Sequence, residues 1–394
     1  MSTIEPSKAA RITRKLNRPF TPLLAAALLF AAGTARADLV IGVDLPLTGP
    51  AAGLGIPCKN GLAFWPKKIG GERVKLIVLD DAGDPTQATT NARRFVTEDK
   101  VDVMVGSAAT PAALAMAAVA TESHTVQLAA SPVELPPGKD AWTFRLPQSV
   151  TLMATGIVDQ MKKTGIKSYA FIGYSDAYGE SWLKDMSRLA DAAGIKLTTA
   201  ERFNRADTSV TAQAIKAIAS KPDAILVVAS GSGAAMPEMT LIEHGYKGQI
   251  YQTHSAASRD LIRIGGKSVE GTLVVAGLAV MPEGLPDSNP SKKLAVDFVN
   301  KYEKVYGAGS RNQFAAHIYD AQLILQHVVP IALKKGKPGT PAFRAALKEA
   351  LEHSGGIVAT QGVFHYSPTD HFGLDANSRM MLTVSKGDWK VVTP

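Results

Sequence analysis

The sequence predicts an α/β protein made of two doubly wound lobes, each a parallel sheet sandwiched between helices. Three observations carry that prediction. From Asp38 onward, short β-branched runs alternate with longer stretches of helical spacing, the pattern of βαβ units. Several of the short runs are apolar throughout, as strands covered by helices on both faces must be. The chain of 394 residues, 46% apolar and 20% charged, suits two globular domains better than one.

The strand candidates are 39–45, 74–80, 101–106, 125–130, 168–174, 224–230, 249–253 and 272–277. Helical patterns fall around 59–68, 86–99, 110–122, 150–164, 179–193, 209–220, 233–245, 291–306, 314–335 and 341–352. The 3.6-residue period is clearest in ATTNARRFVTED and GESWLKDMSRLADAAG. The loops PPGKDAW (136–142) and MPEGLPDSNPS (281–291) are rich in Pro and Gly and are the expected crossing points between lobes. Residues 355–394 read as turns and short strands without a helix, and no short-period repeat is present.

The formal charge of +8 is uneven. Residues 1–37 hold six basic side chains and one acid, leaving only +3 on the remainder, too mild a balance for a nucleic-acid or anionic-membrane partner. Those 37 residues read as an export signal. A basic stretch ends at Arg18, an apolar run of about 14 residues follows, and Ala35-Arg36-Ala37 gives a cleavage pattern before Asp38. The run is short of the roughly 20 residues that span a bilayer as a helix. The mature protein, cleaved after Ala37, is therefore expected outside the cytoplasm, in the periplasm if the cell is Gram-negative. Cys58 is the sole cysteine, so no internal disulfide forms. It is expected to face inward from the first helix as an inert thiol.

Reactive chemistry finds little support. Neither Gly173–Ala177 nor Gly106–Thr110 completes the Gly-x-Ser-x-Gly turn of a hydrolase. Gly231 and Gly233 begin a dinucleotide-type fingerprint, but Met236 stands where the third glycine belongs. Asp80, Asp81 and Asp84 do not have calcium-loop spacing, and Asp84 before Pro85 reads as a helix cap. His365 and His371 flank Asp370 at no recognised ligand spacing and are expected at the surface. No metal, cofactor or catalytic set is assigned, and the chain is expected not to be an enzyme.

What remains is the set of strand C-terminal ends, where open α/β sheets bind ligands. They read Pro46–Pro50, Gly106–Thr110, Ala129–Pro132, Ser175–Gly179, Ser230–Gly233 and Thr253–Ala256. Small residues with hydroxyls beside helix starts leave backbone N–H groups open to a carboxylate. The chain reads as built to hold a small anion and not to react with it.

Taken together, these segments resemble the periplasmic solute-binding proteins of the leucine/isoleucine/valine-binding type, which serve ABC importers. The resemblance covers 38–394 and is carried by IGVDLPLTGPAAGLGIPCKNGLAF, GSAAT, LAASP, YSDAYGES, VEGTLVVA and SPTDHFGLDANSR. It implies the type I periplasmic binding protein fold, two Rossmann-like lobes joined by three crossovers, divided as 38–147 plus 280–358 and 148–279 plus 359–394. It implies a monomer that closes like a hinged clamp on a small carboxylate and delivers it to permease subunits in the inner membrane.

The same resemblance implies that Leu54, Ser107, Ala108, Ala109, Thr110, Ala129, Ala130, Ser131, Tyr178, Ser230 and His254 lie in or near the cleft. Ser107 and Thr110, with the backbone of Ala129–Ser131, would hold the carboxylate from the first lobe. Tyr178 and the 230–233 and 253–256 loops would close from the second. Two departures stand out. His254 occupies the place of the carboxylate that receives an α-ammonium in amino-acid binders, and Leu54 the place of a common aromatic lid. A buried ammonium without an acidic partner is costly. Both features lean toward the branch that binds aromatic acids of the benzoate or phenylpropenoid kind. A branched-chain or other hydrophobic amino acid is the alternative, with Asp44 or Asp81 then supplying the carboxylate. A receptor's ligand-sensing subunit and a Rossmann-type enzyme are the remaining readings.

Overall fold

The computed structural model describes residues 2–3, 38–136 and 138–392. The expected export signal over 1–37 lies, apart from Ser2 and Thr3, outside the described residues.

The first lobe opens with β1 (Leu39–Leu45), α1 (Ala52–Gly61), β2 (Lys68–Ile69), β3 (Glu72–Asp80) and α2 (Pro85–Thr97). It continues through β4 (Val103–Gly106), α3 (Thr110–Ser123), β5 (Val126–Ala129) and β6 (Thr143–Arg145). Its strands lie in the order β2-β3-β1-β4-β5-β6, parallel except for β2 against β3. β1 is central because Leu39, Ile41, Val43 and Leu45 are all fully buried, each such side chain contributing about 1.5–3 kcal/mol by leaving water. Asp84 caps α2 by accepting from the Gln87 N–H at 2.7 Å, with Pro85 in the first turn, as its sequence position suggests.

The second lobe runs through α4 (Val150–Lys163), β7 (Ser168–Tyr174), α5 (Ala177–Ala192), β8 (Lys196–Phe203) and α6 (Thr211–Ala219). Then come β9 (Ala224–Val228), α7 (Ala235–Glu243), β10 (Gln249–Gln252), α8 (Arg259–Gly265) and β11 (Leu273–Gly277). The chain next adds α9 (Lys292–Tyr306), α10 (Gln313–Ala332), α11 (Pro341–His353), β12 (Ile357–Val358) and β13 (Val363–Phe364). It ends with β14 (Arg379–Ser385), antiparallel to β11, and β15 (Asp388–Val391), antiparallel to β14. The second sheet therefore reads β15-β14-β11-β10-β9-β7-β8.

Three crossings link two separate cores. The first is Leu146–Ser149, since Leu146 packs with the first core and Val150 with the second. The loop 136–142, expected to cross, does not, because β6 beyond it still pairs with β5, Thr143 lying opposite Gln127. The second crossing spans 278–291 and includes the expected 281–291 loop. The third lies at 375–378, later than the expected boundary at 359. Ala359, Phe364 and Tyr366 belong to the first core, and the Tyr366 hydroxyl donates to the Arg145 carbonyl at 2.6 Å.

Buried glutamines tie the crossings together. Gln148 Nε2 donates to the Ser378 carbonyl at 2.6 Å, joining the first crossing to the third. Gln313 Oε1 accepts from the Gly277 N–H at 3.1 Å, and Gln361 Oε1 accepts from the Ala279 N–H at 3.3 Å. Each amide offers both a donor and an acceptor, so each satisfies backbone groups that irregular crossing segments leave open.

Other expectations are corrected locally. The first helix starts at Ala52, seven residues before its expected start at 59, and carries Pro57 inside it. Cys58 faces inward from it as expected, its sulfur on the Phe314 carbonyl and its thiol pushed well up by burial. His371 is buried rather than at the surface. It stacks on Phe144 with ring centroids 4.0 Å apart and meets Glu352 through Nε2 at 3.1 Å.

Candidate functional site

The strand ends of the two sheets face a shared cavity of about 10 Å³. That is room for roughly one water, so the lobes are drawn together.

From the first lobe, the wall is built by the turn from β4 into α3. Gly106 has φ +117°, and a Cβ there would fall 1.9 Å from the Asp44 carbonyl oxygen. Only glycine lets the turn pass that close to β1. The turn then places Ala108 and Thr110 on the cavity, and α3 starts with no side chain capping its amides. The turn after β5 adds Ala130, Ser131 and Pro132, and the Ser131 hydroxyl is buried without a hydrogen-bond partner. α1 contributes Leu54, the first crossing Pro147, and α10 Phe314 and His317.

From the second lobe, α5 presents Tyr178 in its first turn. Its hydroxyl hydrogen-bonds Thr253 Oγ1 at 2.8 Å, and burial pushes its pKa up to about 12. Arg205 comes from the turn after β8. Its Nε donates to Asp176 Oδ2 at 2.5 Å, its Nη1 donates to Ser230 Oγ at 2.9 Å, and its guanidinium lies 4.1 Å from the Tyr174 ring centroid. Asp176 also caps α5 by accepting from the Tyr178 N–H at 2.9 Å. His254 follows β10, with ring centroids 6.2 Å from Tyr178 and 5.8 Å from Trp182. Its carbonyl accepts from Gln313 Nε2, which links the cleft to the crossing segments.

The electrostatics are lopsided. Among the described residues, Arg205 is the one permanently charged side chain lining the cavity, and no carboxylate lines it. Burial lowers His254 to about 4, and burial together with His254 lowers His317 to about 3, so both rings are neutral at pH 7. Asp44 and Asp81, the alternative carboxylates, do not line the cavity. Burial raises Asp44 to about 8, helped by Asp81, and raises Asp81 to about 6.

Of the residues singled out in the sequence, Leu54, Ala108, Thr110, Ala130, Ser131, Tyr178, Ser230 and His254 are on the lining. Ser107, Ala109 and Ala129 are not. The Ser107 hydroxyl accepts from the Ala109 N–H at 3.2 Å and favours the ionised form of Asp81, turned beneath the loop. Ala109 and Ala129 are buried in the first lobe.

The family model described as periplasmic binding protein matches residues 38–384. The chain belongs to the periplasmic binding protein family. A solved extracellular ligand-binding receptor from Rhodopseudomonas palustris HaA2 is 48% identical to this binding protein. It aligns with TM-score 0.89 over 91% of this chain and 100% of that one. Leu/Ile/Val-binding protein homolog 2 of Brucella abortus is 26% identical over 344 residues, 82% of this chain and 85% of that protein. A solute-binding protein of an ABC transporter from Rhodopseudomonas palustris BisB5, solved with 3,4-dihydroxy benzoic acid, is similar in fold. It has TM-score 0.75 at 20% identity, over 89% of this chain and 95% of that one.

Six residues lining the cleft of this binding protein escaped the sequence reading: Pro132, Pro147, Arg205, Ser255, Phe314 and His317. Pro132 and Ser255 fall inside strand-end segments already marked. Arg205 was hidden because β8 was not recognised, so the turn after it was never inspected. His317 sits on a predicted helix whose apolar run reads as core. A titratable residue within that run was the available signal.

Proposed function

We propose that this periplasmic binding protein captures a small aromatic carboxylate and presents it, unchanged, to the permease subunits of an ABC importer. The observation that carries the reading is the charge of the lining, one guanidinium and no carboxylate. A buried α-ammonium would have no acidic partner, and leaving a buried charge unpaired costs about 3–5 kcal/mol. A carboxylate without an ammonium has a partner, because Arg205 and Ser230 face the uncapped start of α3 and the Ser131 turn.

The rest of the lining suits an aromatic body. Leu54, Ala108, Ala130, Pro132, Pro147 and Phe314 give apolar faces contributed mostly by the first lobe. The neighbour from Rhodopseudomonas palustris BisB5 holds an aromatic acid within the same architecture, which supports the reading at the level of the fold. Capture works by differential affinity. The ligand binds the first lobe in either state and gains Arg205, Ser230 and Tyr178 only on closure, so closure is favoured by as much as those contacts are worth. The expected site of action is the periplasm.

Titration calorimetry with benzoates, cinnamates, leucine, isoleucine and valine tests the proposal. Binding of one or more aromatic acids with little response to the amino acids is expected. Tight binding of a branched-chain amino acid with no response to any aromatic acid overturns it.

A further inference from the structure

α10 is the most thoroughly buried helix of the first lobe, and most of its inward positions are apolar or alanine. His317 stands among them at 1% exposure, on the cavity wall, with neither ring nitrogen hydrogen-bonded. Across the cleft, His254 is equally buried and its Nδ1 also has no partner. A buried polar group left unsatisfied is destabilising, and leucine or methionine would fill either position without that cost. Two such groups on one cavity, from opposite lobes, point to a ligand group that satisfies them.

We propose that His317, acting with His254, is a specificity-determining residue that reads a ring hydroxyl on the aromatic acid. A neutral imidazole offers one donor and one acceptor. A hydroxyl, which also donates and accepts, matches that pair of offers. An ammonium only donates and a second carboxylate only accepts, and neither meets a countercharge at these rings. The Tyr178 hydroxyl already engages Thr253, whereas the two histidines and the Ser131 hydroxyl are not committed to protein partners, and Ser131 lies in the turn assigned to the carboxylate. The inference rests on the ligand being an aromatic carboxylate and adds the hydroxyl as the feature that is selected. A site built to hydrogen-bond a hydroxyl rejects the analogue lacking it, since its own polar groups are then stranded.

The test is calorimetry at pH 7.5 on matched pairs, 4-hydroxybenzoate with benzoate and 4-hydroxycinnamate with cinnamate, with the 3-hydroxy isomers included. The full mature chain is used as wild type, His317→Leu and His317→Gln, each checked for folding by its thermal transition without ligand. The wild type is expected to bind at least one hydroxylated acid about tenfold or more tighter than its partner. His317→Leu is expected to abolish that preference, the hydroxylated acid losing about tenfold or more in affinity relative to its unhydroxylated partner. His317→Gln, which keeps a donor and an acceptor, is expected to retain part of the preference. It also serves as the test should the leucine variant not fold. Equal affinity within every pair for the wild type overturns the inference and leaves the aromatic-acid reading standing. So does a preference that survives in both variants. Binding of amino acids alone overturns both.

Discussion

Arg205 is clamped by Asp176, its Nε donating to the carboxylate at 2.5 Å, and the same carboxylate caps the helix that carries Tyr178. One acid thus fixes the cation and the aromatic hydroxyl of the second lobe in a single arrangement. Preorganisation of this kind lowers the ordering cost of binding.

The first prediction follows from that clamp. Arg205→Gln removes the charge while leaving a donor toward Ser230, and a charge-assisted hydrogen bond is worth about 1.5–3 kcal/mol. The carboxylate ligand should bind roughly ten- to a hundredfold more weakly by calorimetry. Arg205→Lys should fall between the two, because it keeps the charge but loses the planar fork and the stacking over Tyr174. Unchanged affinity in the glutamine variant would take Arg205 out of the site.

The second concerns pH. In the closed cleft burial holds His254 near 4 and His317 near 3, whereas opening rehydrates the rings and returns them toward about 6.5. The closed form therefore binds fewer protons. Affinity should be full above about pH 6.5 and fall as pH drops toward 5, by up to tenfold per unit for each ring. Tyr178, held near 12 by burial, does not titrate in that window. Asp81, beneath the 106–110 loop, titrates at about 6, so a comparison isolates the rings. The dissociation constant of an aromatic acid, measured from pH 8 to 5, should rise less steeply in His317→Gln than in the wild type. Identical slopes would remove His317 from the linkage.

How far the sequence reached is clearest in particular elements. β1, β7 and the central strands of both sheets are short, apolar and fully covered, and their ends were legible because a covered parallel strand has little alternative. The turns at their C-terminal ends followed, and with them Ala108, Thr110, Ser131, Tyr178, Ser230 and His254 on the cleft. β8 was not legible. Lys196–Phe203 is a half-exposed edge strand, polar at several positions, and its pattern resembles a loop; Arg205 was lost with it. α1 was misplaced because Gly53, Gly55 and Pro57 read as turn residues. A Cβ at Gly55 would meet the Pro46 carbonyl oxygen at 2.1 Å, so that glycine answers to packing against the β1 turn. His317 was visible but silent, since only the facing lobe shows that its ring meets a cavity.

The last prediction concerns stability. Asp44, at the end of β1, is fully buried beside the turn that forms the first-lobe wall. Its Oδ1 accepts from Asn91 Nδ2 at 2.8 Å, and its Oδ2 has no partner. Burial, with Asp81 adding to it, raises its pKa to about 8, above the roughly 3.9 of an unfolded aspartate. Between those values the folded state binds more protons than the unfolded one. The Asp44 contribution is therefore fully present below about pH 4 and is lost as pH rises through 8. Asp44→Asn keeps the acceptor for Asn91 and removes the titration. The variant should exceed the wild type by roughly 1–3 kcal/mol at pH 8.5 and converge with it toward pH 4, read from urea unfolding midpoints. A difference that does not change with pH would show that Asp44 is not the titrating group. Destabilisation confined to pH 8.5 would show instead that its charge is needed, held by a partner on the opposite side of the turn.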